Sequence, residues 1–382
     1  MSMDRRNFIR NSALAGAALG LSGPAFSLAA AGPITVASRP MNVLVLGGTG
    51  FIGPPMVEYL LARGHKVTIF NRGQSNTDLF PDVEKLVGDR NDDLEALKGR
   101  EWDVVFDNHA TLPRWVRQTA ELLQGSVGRY IHVSTISVYA EPDFTLPDDP
   151  DEEEKLRLDE DASLAQLPED WDGSEDVTGA TYGPFKWQAE AEAEKAFPGK
   201  ATIVRPGLII GPGDPTDRFT YWPLRIRRGG EVLSPGSGRD STQIIDARDL
   251  VRFIVTLAEN DQSGVFNATG PESRLSMAEM LYGIRALTNV PVKFTWVAAG
   301  FLEEQSVTPW GDMPCWIPGH AVMNVRLDRA LAAGLECRPL ADTTRDLLEW
   351  YDAQPEERRE TVRAGISAER EAEVLAAWHS AP

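Results

Sequence analysis

Cysteine, histidine and positive charge are all scarce in this chain of 382 residues. Its two cysteines, Cys315 and Cys337, are too few for a disulfide framework. In an oxidising compartment they could pair, but we favour two small buried side chains. The five histidines are not spaced as metal ligands, so no metal site is predicted. The formal net charge of −19 disfavours nucleic-acid binding, which needs a basic surface against the phosphate backbone.

The N-terminal segment has the three parts of an export signal. Arg5 and Arg6 stand in a basic start, a weakly hydrophobic Ala/Gly/Leu run covers 13–21, and small residues cluster at 27–31. The arginine pair and the mild apolar run resemble a twin-arginine signal, whose export machinery carries folded proteins. The apolar run is too short for a permanent membrane anchor. We therefore predict a signal peptide over 1–31, the twin-arginine export machinery as a partner, and a periplasmic location after removal of the signal.

Residues 41–70 predict a strand, a glycine-rich turn, a helix and a second strand. The apolar run 41–46 is followed at once by Gly-Gly-Thr-Gly-Phe-Ile-Gly, then by a helical pattern over 56–62 and an apolar run over 67–70. In such a βαβ unit, glycines allow a tight turn and a close approach of the backbone to a pyrophosphate at the helix N-terminus. The pattern therefore predicts a dinucleotide site. Its residues in this turn are Gly47, Gly50, Phe51, Ile52 and Gly53.

Two segments further along predict an acid/base pair beside that dinucleotide. A strand over 130–133 runs into a polar end that begins at Ser134, and Tyr182 opens a helix with Lys186 four positions later. This spacing puts the phenol and the ammonium on one helical face, where the cation is expected to lower the pKa of the phenol. Such a pair can move a proton at a carbonyl or carbinol oxygen near neutral pH.

From about residue 41 to about residue 350, the chain resembles the extended short-chain dehydrogenases/reductases, the NAD-dependent epimerase/dehydratase family. The Gly-x-x-Gly-x-x-Gly spacing, the Tyr-x-x-x-Lys pair and the stretch Arg-Pro-Gly-Leu-Ile-Ile-Gly-Pro-Gly at 205–213 carry the resemblance. It implies an α/β fold with a Rossmann-type doubly wound parallel sheet and a smaller, discontinuous α/β substrate lobe.

The same resemblance implies roles for individual residues. Tyr182 is expected as the general acid/base, Lys186 as the residue that tunes it and orients a ribose, and Thr135 as the holder of the substrate oxygen. Ser134 and Ser137 are the alternatives for that hydroxyl. Cofactor contacts beyond the glycine-rich turn are expected from the ends of later strands and from the catalytic helix. They are Asn71, Arg72, Asp89, Arg90, Asn108, Ala110, Ser134, Tyr182, Lys186 and Pro206.

The end of the second strand favours NADP over NAD as the cofactor. NAD-selective proteins usually carry an acidic residue there for the ribose hydroxyls, whereas this chain has Asn71 and Arg72. A neutral amide followed by a guanidinium suits a 2′-phosphate. A solvated loop charge is the competing interpretation of Arg72, and NAD is then the alternative cofactor.

Two departures from the family pattern narrow the substrate. Thr242 and Gln243 stand where relatives carry the Arg-Asp-Tyr that grips a nucleotide-sugar diphosphate, and Ile136 replaces the Glu expected of a dehydratase. We therefore expect an NAD(P)-dependent oxidoreductase or epimerase that transfers hydride at a carbinol or carbonyl carbon of a sugar-like or other small alcohol. The alternative is a non-catalytic dinucleotide-binding redox sensor or an RNA-associated relative of the same fold.

The expected domain organisation follows from these segments. A small-molecule substrate is the predicted partner of the mature protein, and a homodimer is left open. The predicted ranges are 1–31 for the signal peptide, 41–212 with 241–262 returning to it for the Rossmann domain, 213–240 and 263–350 for the substrate lobe, and 351–382 for a helical tail.

Overall fold

The computed structural model describes residues 34–108, 110–141, 156–319 and 323–381. The predicted signal peptide over 1–31 lies outside these described residues. Within them, no helix is long and apolar enough to cross a membrane. The same residues contain no group of three or more His, Cys, Asp or Glu side chains placed to hold a metal ion.

Strands alternate with helices along most of the chain, as expected of an α/β protein. The strands are β1 (Asn42–Leu46), β2 (Lys66–Asn71), β3 (Glu84–Val87), β4 (Trp102–Asp107), β5 (Val127–Val133), β6 (Ala201–Pro206), β7 (Leu208–Ile210), β8 (Gly230–Pro235), β9 (Ile244–Asp246), β10 (Gly264–Ala268) and β11 (Val292–Val297). The helices are α1 (Gly53–Ala62), α2 (Pro113–Leu123), α3 (Gly179–Ala196), α4 (Arg218–Arg227), α5 (Ala247–Glu259), α6 (Met277–Arg285), α7 (Ala299–Glu304), α8 (Asp328–Ala332), α9 (Leu340–Asp352), α10 (Glu356–Glu360) and α11 (Ala368–Ser380).

A seven-stranded sheet forms the centre, with the strand order β3, β2, β1, β4, β5, β6, β10. All six neighbouring pairs in this sheet are parallel. The chain order reverses between β1 and β4, where doubly wound folds form a ligand crevice beyond the carboxyl ends of the strands. The predicted Rossmann-type doubly wound sheet is therefore confirmed.

The central strands are apolar almost throughout because helices cover both faces of the sheet. In β1, Val43 and Val45 pack into the core under α1 and α5, while Leu44 and Leu46 pack into the core under α2 and α3. Successive side chains of a strand point to opposite faces, so one short run supplies two cores. The predicted apolar run at the start of the fold therefore lies between two helical layers.

A smaller lobe stands beside this sheet and has a hydrophobic core of its own. β8 pairs in parallel with β11, and β7 pairs in parallel with β9. The largest buried side chains of this second core are Trp222 and Trp316, packed with Phe219, Met280 and Leu347. The smaller α/β lobe predicted from the sequence is present.

The C-terminal helix α11 docks on the smaller lobe through a buried ion pair. The Arg225 Nε donates to Glu371 Oε2 at 2.6 Å, and the backbone N–H of Leu233 donates to Glu371 Oε1 at 3.0 Å. Both charged side chains are buried. Removing one partner of a buried pair leaves the other charge uncompensated, which is strongly destabilising.

Replacement of Glu371 by Ala is therefore expected to lower the free energy of unfolding by about 3–5 kcal/mol. The matched control is Glu373→Ala two residues along the same helix, whose exposed pair with Arg370 is worth at most about 1 kcal/mol. Urea unfolding of both variants measures the difference. Equal midpoints for the two variants would contradict the docking role assigned to Glu371.

Candidate active site

The glycine-rich turn between β1 and α1 keeps an open space above it. Gly47 has a φ of +89°, a left-handed conformation that glycine adopts at no steric cost. A Cβ at Gly53 would lie 2.5 Å from the carbonyl carbon of Gly48, so α1 packs tightly on the turn. At Gly50, by contrast, a Cβ would meet no atom within 4 Å. This is the arrangement that a bound pyrophosphate needs.

The end of β2 shapes the side of this space where an adenosine is expected. The Asn71 side chain donates to Thr49 Oγ1 at 3.3 Å and accepts from the N–H of Gly73 at 2.9 Å. Asn71 therefore holds the turn, while Arg72 beside it is exposed. Within the described part of the chain, no hydrogen bond or ion pair engages the Arg72 guanidinium. Val87, at the end of β3, is 61% exposed and faces Gly73 across this space.

Arg90, which the resemblance assigned to the cofactor, is directed into the protein. Its Nη1 and Nη2 donate to the two carboxylate oxygens of Asp107 at 2.6 Å each. The physical reason is the burial of Asp107, whose carboxylate ends β4 with no exposed surface and requires a counter-charge. The Asp89 side chain also forms a hydrogen bond within the protein, because its Oδ1 accepts from the N–H of Asn91 at 2.9 Å.

Two buried polar atoms at the carboxyl ends of β4 and β5 lack a partner among the described residues. They are the Oδ1 of Asn108 and the Oγ of Ser134, and both side chains are buried. Buried polar atoms in proteins are nearly always hydrogen-bonded, so an orphaned pair at a strand edge indicates that a ligand completes them. Both residues belong to the predicted cofactor set. With the open space over Gly50, they fit a dinucleotide.

Helix α3 carries Tyr182 to the end of β5. It begins with a capping box between Thr178 and Thr181, which fixes where the helix starts. A Cβ at Gly183 would lie 2.0 Å from the backbone oxygen of Ser137, so only glycine allows this approach. Tyr182 is thereby brought within hydrogen-bonding reach of Thr135. Pro206, the last residue of β6, is buried in the neighbouring strand.

Thr135 is the hydroxyl that the structure places beside the phenol. It is buried, its Oγ1 accepts from the N–H of Ser137 at 3.1 Å, and it donates to the Ser137 hydroxyl at 3.2 Å. Burial raises the pKa of Tyr182, and the hydrogen bond with Thr135 lowers it in part. The spacing predicted that Lys186 would lower the pKa of the Tyr182 phenol. In the structure burial raises this pKa and Thr135 is the group that opposes the shift, so the neutral phenol is the preferred form.

Lys186 is enclosed behind Tyr182 rather than open to solvent. Its Nζ donates to the carbonyl oxygens of Ala110 and Val133, each at 2.7 Å, and the residue is 4% exposed. Burial lowers its pKa to about 8, against the opposing attraction of Asp107 and Glu190. The structure therefore brings Lys186 to the predicted site and adds an acidic neighbour, Asp107, that sequence reasoning missed.

Thr242 and Gln243, the two residues that depart from the family pattern, form hydrogen bonds within the structure. The Gln243 side chain accepts from the N–H of Val325 at 2.9 Å and donates to the Val325 carbonyl at 3.0 Å, as a neighbouring strand would. The Thr242 hydroxyl donates to the carbonyl of Cys315 at 3.0 Å. Both residues are buried and hold the backbone of Cys315 and Val325 in place. No positive charge is present at either position.

The comparisons with known proteins agree with this geometry. The model of the NAD dependent epimerase/dehydratase family matches residues 43–116 and 170–269. These stretches contain the glycine-rich turn, Tyr182 and Lys186. The family model and the relatives support the class predicted above, the extended short-chain dehydrogenases/reductases.

The individual relatives have low sequence identity to this chain but match more than half of its length. The mouse epimerase family protein SDR39U1 is 28% identical over 307 residues, which cover 70% of this chain and 92% of that protein. A 2-alkyl-3-oxoalkanoate reductase of Stenotrophomonas maltophilia is 29% identical over 234 residues, which cover 56% of this chain and 64% of that protein. The crystal structure of human SDR39U1 (isoform 2) with NADPH is similar with a TM-score of 0.54 and 20% identity, over 81% of this chain and 99% of that one. The structural likeness shows the shared fold.

Two glycines of the turn make opposite predictions. Gly53→Ala is expected to lower the free energy of unfolding by about 1–3 kcal/mol, because its Cβ would overlap backbone atoms. Gly50→Ala is expected to leave stability within about 0.5 kcal/mol. It should weaken dinucleotide binding at least about tenfold, because its methyl group enters the open space. Thermal unfolding and fluorescence titration with NADPH measure the two effects. Wild-type affinity in Gly50→Ala would show that the dinucleotide does not lie there.

Proposed function

We propose that this protein is an NADP-dependent oxidoreductase or epimerase that transfers hydride at a carbinol or carbonyl carbon of a sugar-like or other small alcohol. One observation carries the proposal. Thr135, Tyr182 and Lys186 converge at the carboxyl edge of the sheet, beside the orphaned polar atoms of Asn108 and Ser134. The acid Tyr182, the cation Lys186 and the space for a dinucleotide then lie at the same edge of the sheet. Hydride transfer coupled to proton movement requires this arrangement.

The described residues fit the cofactor at both ends. The turn around Gly50 would hold the pyrophosphate, and Asn108 and Ser134 would complete their hydrogen bonds on the nicotinamide half. When bound, the nicotinamide supplies or accepts the hydride. The exposed Arg72 guanidinium supports NADP over NAD, because a bidentate cation suits a phosphate. The NADPH bound by the structurally similar human protein supports the same choice.

The protonation states of Tyr182 and Lys186 support a separate role for each group in the reaction. Tyr182 is protonated at neutral pH, since burial raises its pKa, so it can donate a proton to a carbonyl oxygen as hydride arrives at carbon. The Thr135 hydroxyl stands beside it and can orient the same oxygen. The Lys186 ammonium, four residues further along the same helix, would stabilise the phenolate left after proton donation. In the reverse direction the Tyr182 phenolate accepts the proton of the alcohol, while Thr135 orients the oxygen.

Two observations support a substrate without a nucleotide diphosphate. Thr242 and Gln243 use their side chains to hold backbone groups of the smaller lobe, and neither could offer a charge to a diphosphate. The reductase among the relatives supports a free carbonyl compound as substrate.

The test is to purify the mature protein, release its dinucleotide by denaturation, and identify it by mass and absorbance. NADP is expected. Tyr182→Phe should retain the dinucleotide but lose about 10²–10⁴-fold in the rate of hydride transfer to a panel of aldehydes and ketones. The control is Tyr282→Phe, which removes an exposed phenol of the smaller lobe and should leave the rate unchanged. A wild-type protein with no affinity for either NADP or NAD would falsify the proposal.

We also propose export of the folded protein through the twin-arginine route, on the basis of Arg5, Arg6 and the weakly hydrophobic run that follows. Export after folding would allow the dinucleotide to be loaded before the protein leaves the cytoplasm. Replacement of both arginines by lysine should therefore retain the protein in the cytoplasmic fraction of cells that possess this route. Unchanged export of the lysine variant would exclude the route but not the enzymatic function.

A further inference from the structure

A single buried carboxylate, that of Asp107, gathers several polar groups beneath the catalytic helix. Its oxygens accept two hydrogen bonds from Arg90 and one from the hydroxyl of Tyr130, all at 2.6 Å. The Nδ1 of His132 lies 3.6 Å from the same carboxylate. Asp107, Tyr130 and His132 have no exposed surface. Burying such a cluster costs free energy, which points to a role beyond packing.

The strand register places this carboxylate next to the catalytic lysine. Asp107 at the end of β4 stands opposite His132 of β5, and the next residue of β5, Val133, accepts a hydrogen bond from Lys186 through its carbonyl. Tyr130 packs in the core shared with α3, the helix that carries Lys186. The carboxylate therefore lies between the sheet and this helix, on the face from which Lys186 approaches.

The charges around Lys186 decide whether its ammonium survives burial. The charged groups that act on it are Glu190 from its own helix, Asp107 from the end of β4 and Arg90 from the loop after β3. Glu190 is already held by Arg205, which donates three hydrogen bonds to it at 2.6–3.2 Å. His132 contributes no cation near neutral pH, because burial lowers its pKa.

Asp107 is the largest of the favourable charges on Lys186. Burial alone lowers the pKa of Lys186, and the attraction of Asp107 opposes this shift more than the repulsion of Arg90 adds to it. The pKa of Asp107 stays well below its usual value despite burial, chiefly because Arg90 pairs with it. The carboxylate is therefore ionised across the whole range in which Lys186 titrates.

We propose that Asp107 is a positioning residue that keeps Lys186 charged, and that Arg90 and Tyr130 hold the carboxylate in place for this task. The use of this charge in catalysis rests on the proposed function, whereas the effect of Asp107 on the charge of Lys186 does not depend on that function. Arg90 then has a role in the site other than the cofactor contact expected from the resemblance.

The decisive measurement is the pKa of Lys186 in the cofactor-free protein. The chain has eight lysines, so selective ¹³Cε labelling gives few NMR signals, and loss of one signal in Lys186→Arg assigns it. The wild-type value is expected near 8. Asp107→Asn should lower it by about 1–3 units, so the ammonium is lost at a lower pH.

Matched variants separate the charge effect from damage to the fold. Tyr130→Phe keeps both charges and should move the pKa far less than Asp107→Asn does. Where Asp107→Asn alone fails to fold, the double variant Asp107→Asn/Arg90→Gln leaves no unpaired buried charge. It should still lower the pKa, because the carboxylate outweighs the guanidinium.

A second readout connects the lysine to the cofactor. NADPH affinity of the wild-type protein should weaken as the pH rises through about 8, and in the double variant this loss should occur at lower pH. A wild-type protein that binds no dinucleotide would defeat the proposed function and leave the NMR result to decide the inference. A folded double variant whose Lys186 titrates at the wild-type pH would overturn the inference itself.

Discussion

The close approach of helix α3 to the end of strand β5 is the constraint on which the candidate site depends. At Gly183 no Cβ can be accommodated, since it would stand 2.0 Å from the carbonyl oxygen of Ser137. A larger residue would push the helix outward and draw Tyr182 away from Thr135. The same displacement would break the two 2.7 Å hydrogen bonds that Lys186 donates to backbone carbonyls. The absence of a side chain at Gly183 therefore sets the positions of Tyr182 and Lys186 relative to Thr135.

That tight packing has an electrostatic consequence. Removing the phenol and the ammonium from water disfavours the charged form of each, so the pKa of Tyr182 rises and that of Lys186 falls to about 8. The two shifts move the pKa values of the phenol and the ammonium apart, because they start from 10.0 and 10.5 and the phenol rises while the ammonium falls to about 8. A buried carboxylate is then needed to keep Lys186 charged, and Asp107 at the end of strand β4 supplies it.

The sequence predicted the parts of the site that depend on local pattern. The glycine spacing of the first turn and the Tyr-x-x-x-Lys spacing are local, and the sheet follows from strands that alternate with helices. The partners of Arg90 were not predictable in this way, because Asp107 is seventeen residues away and meets it only through the sheet. The available signal was a carboxylate, that of Asp107, directly after the buried apolar run 104–106 of strand β4. Gln243 likewise depends on Val325, which folding alone brings close.

The departures from the family pattern also bear on what kind of molecule the site can recognise. The resemblance places an arginine that grips a nucleotide-sugar diphosphate at this point of the chain, whereas Thr242 and Gln243 are uncharged and their side chains bind backbone groups of Cys315 and Val325. Beside Tyr182 the site offers the hydroxyl of Thr135, and the Ser137 hydroxyl accepts a hydrogen bond from it. Such groups discriminate through paired hydrogen bonds, and they reject an analogue that leaves them unpaired. These hydroxyls support the neutral polyhydroxy or carbonyl substrate proposed above.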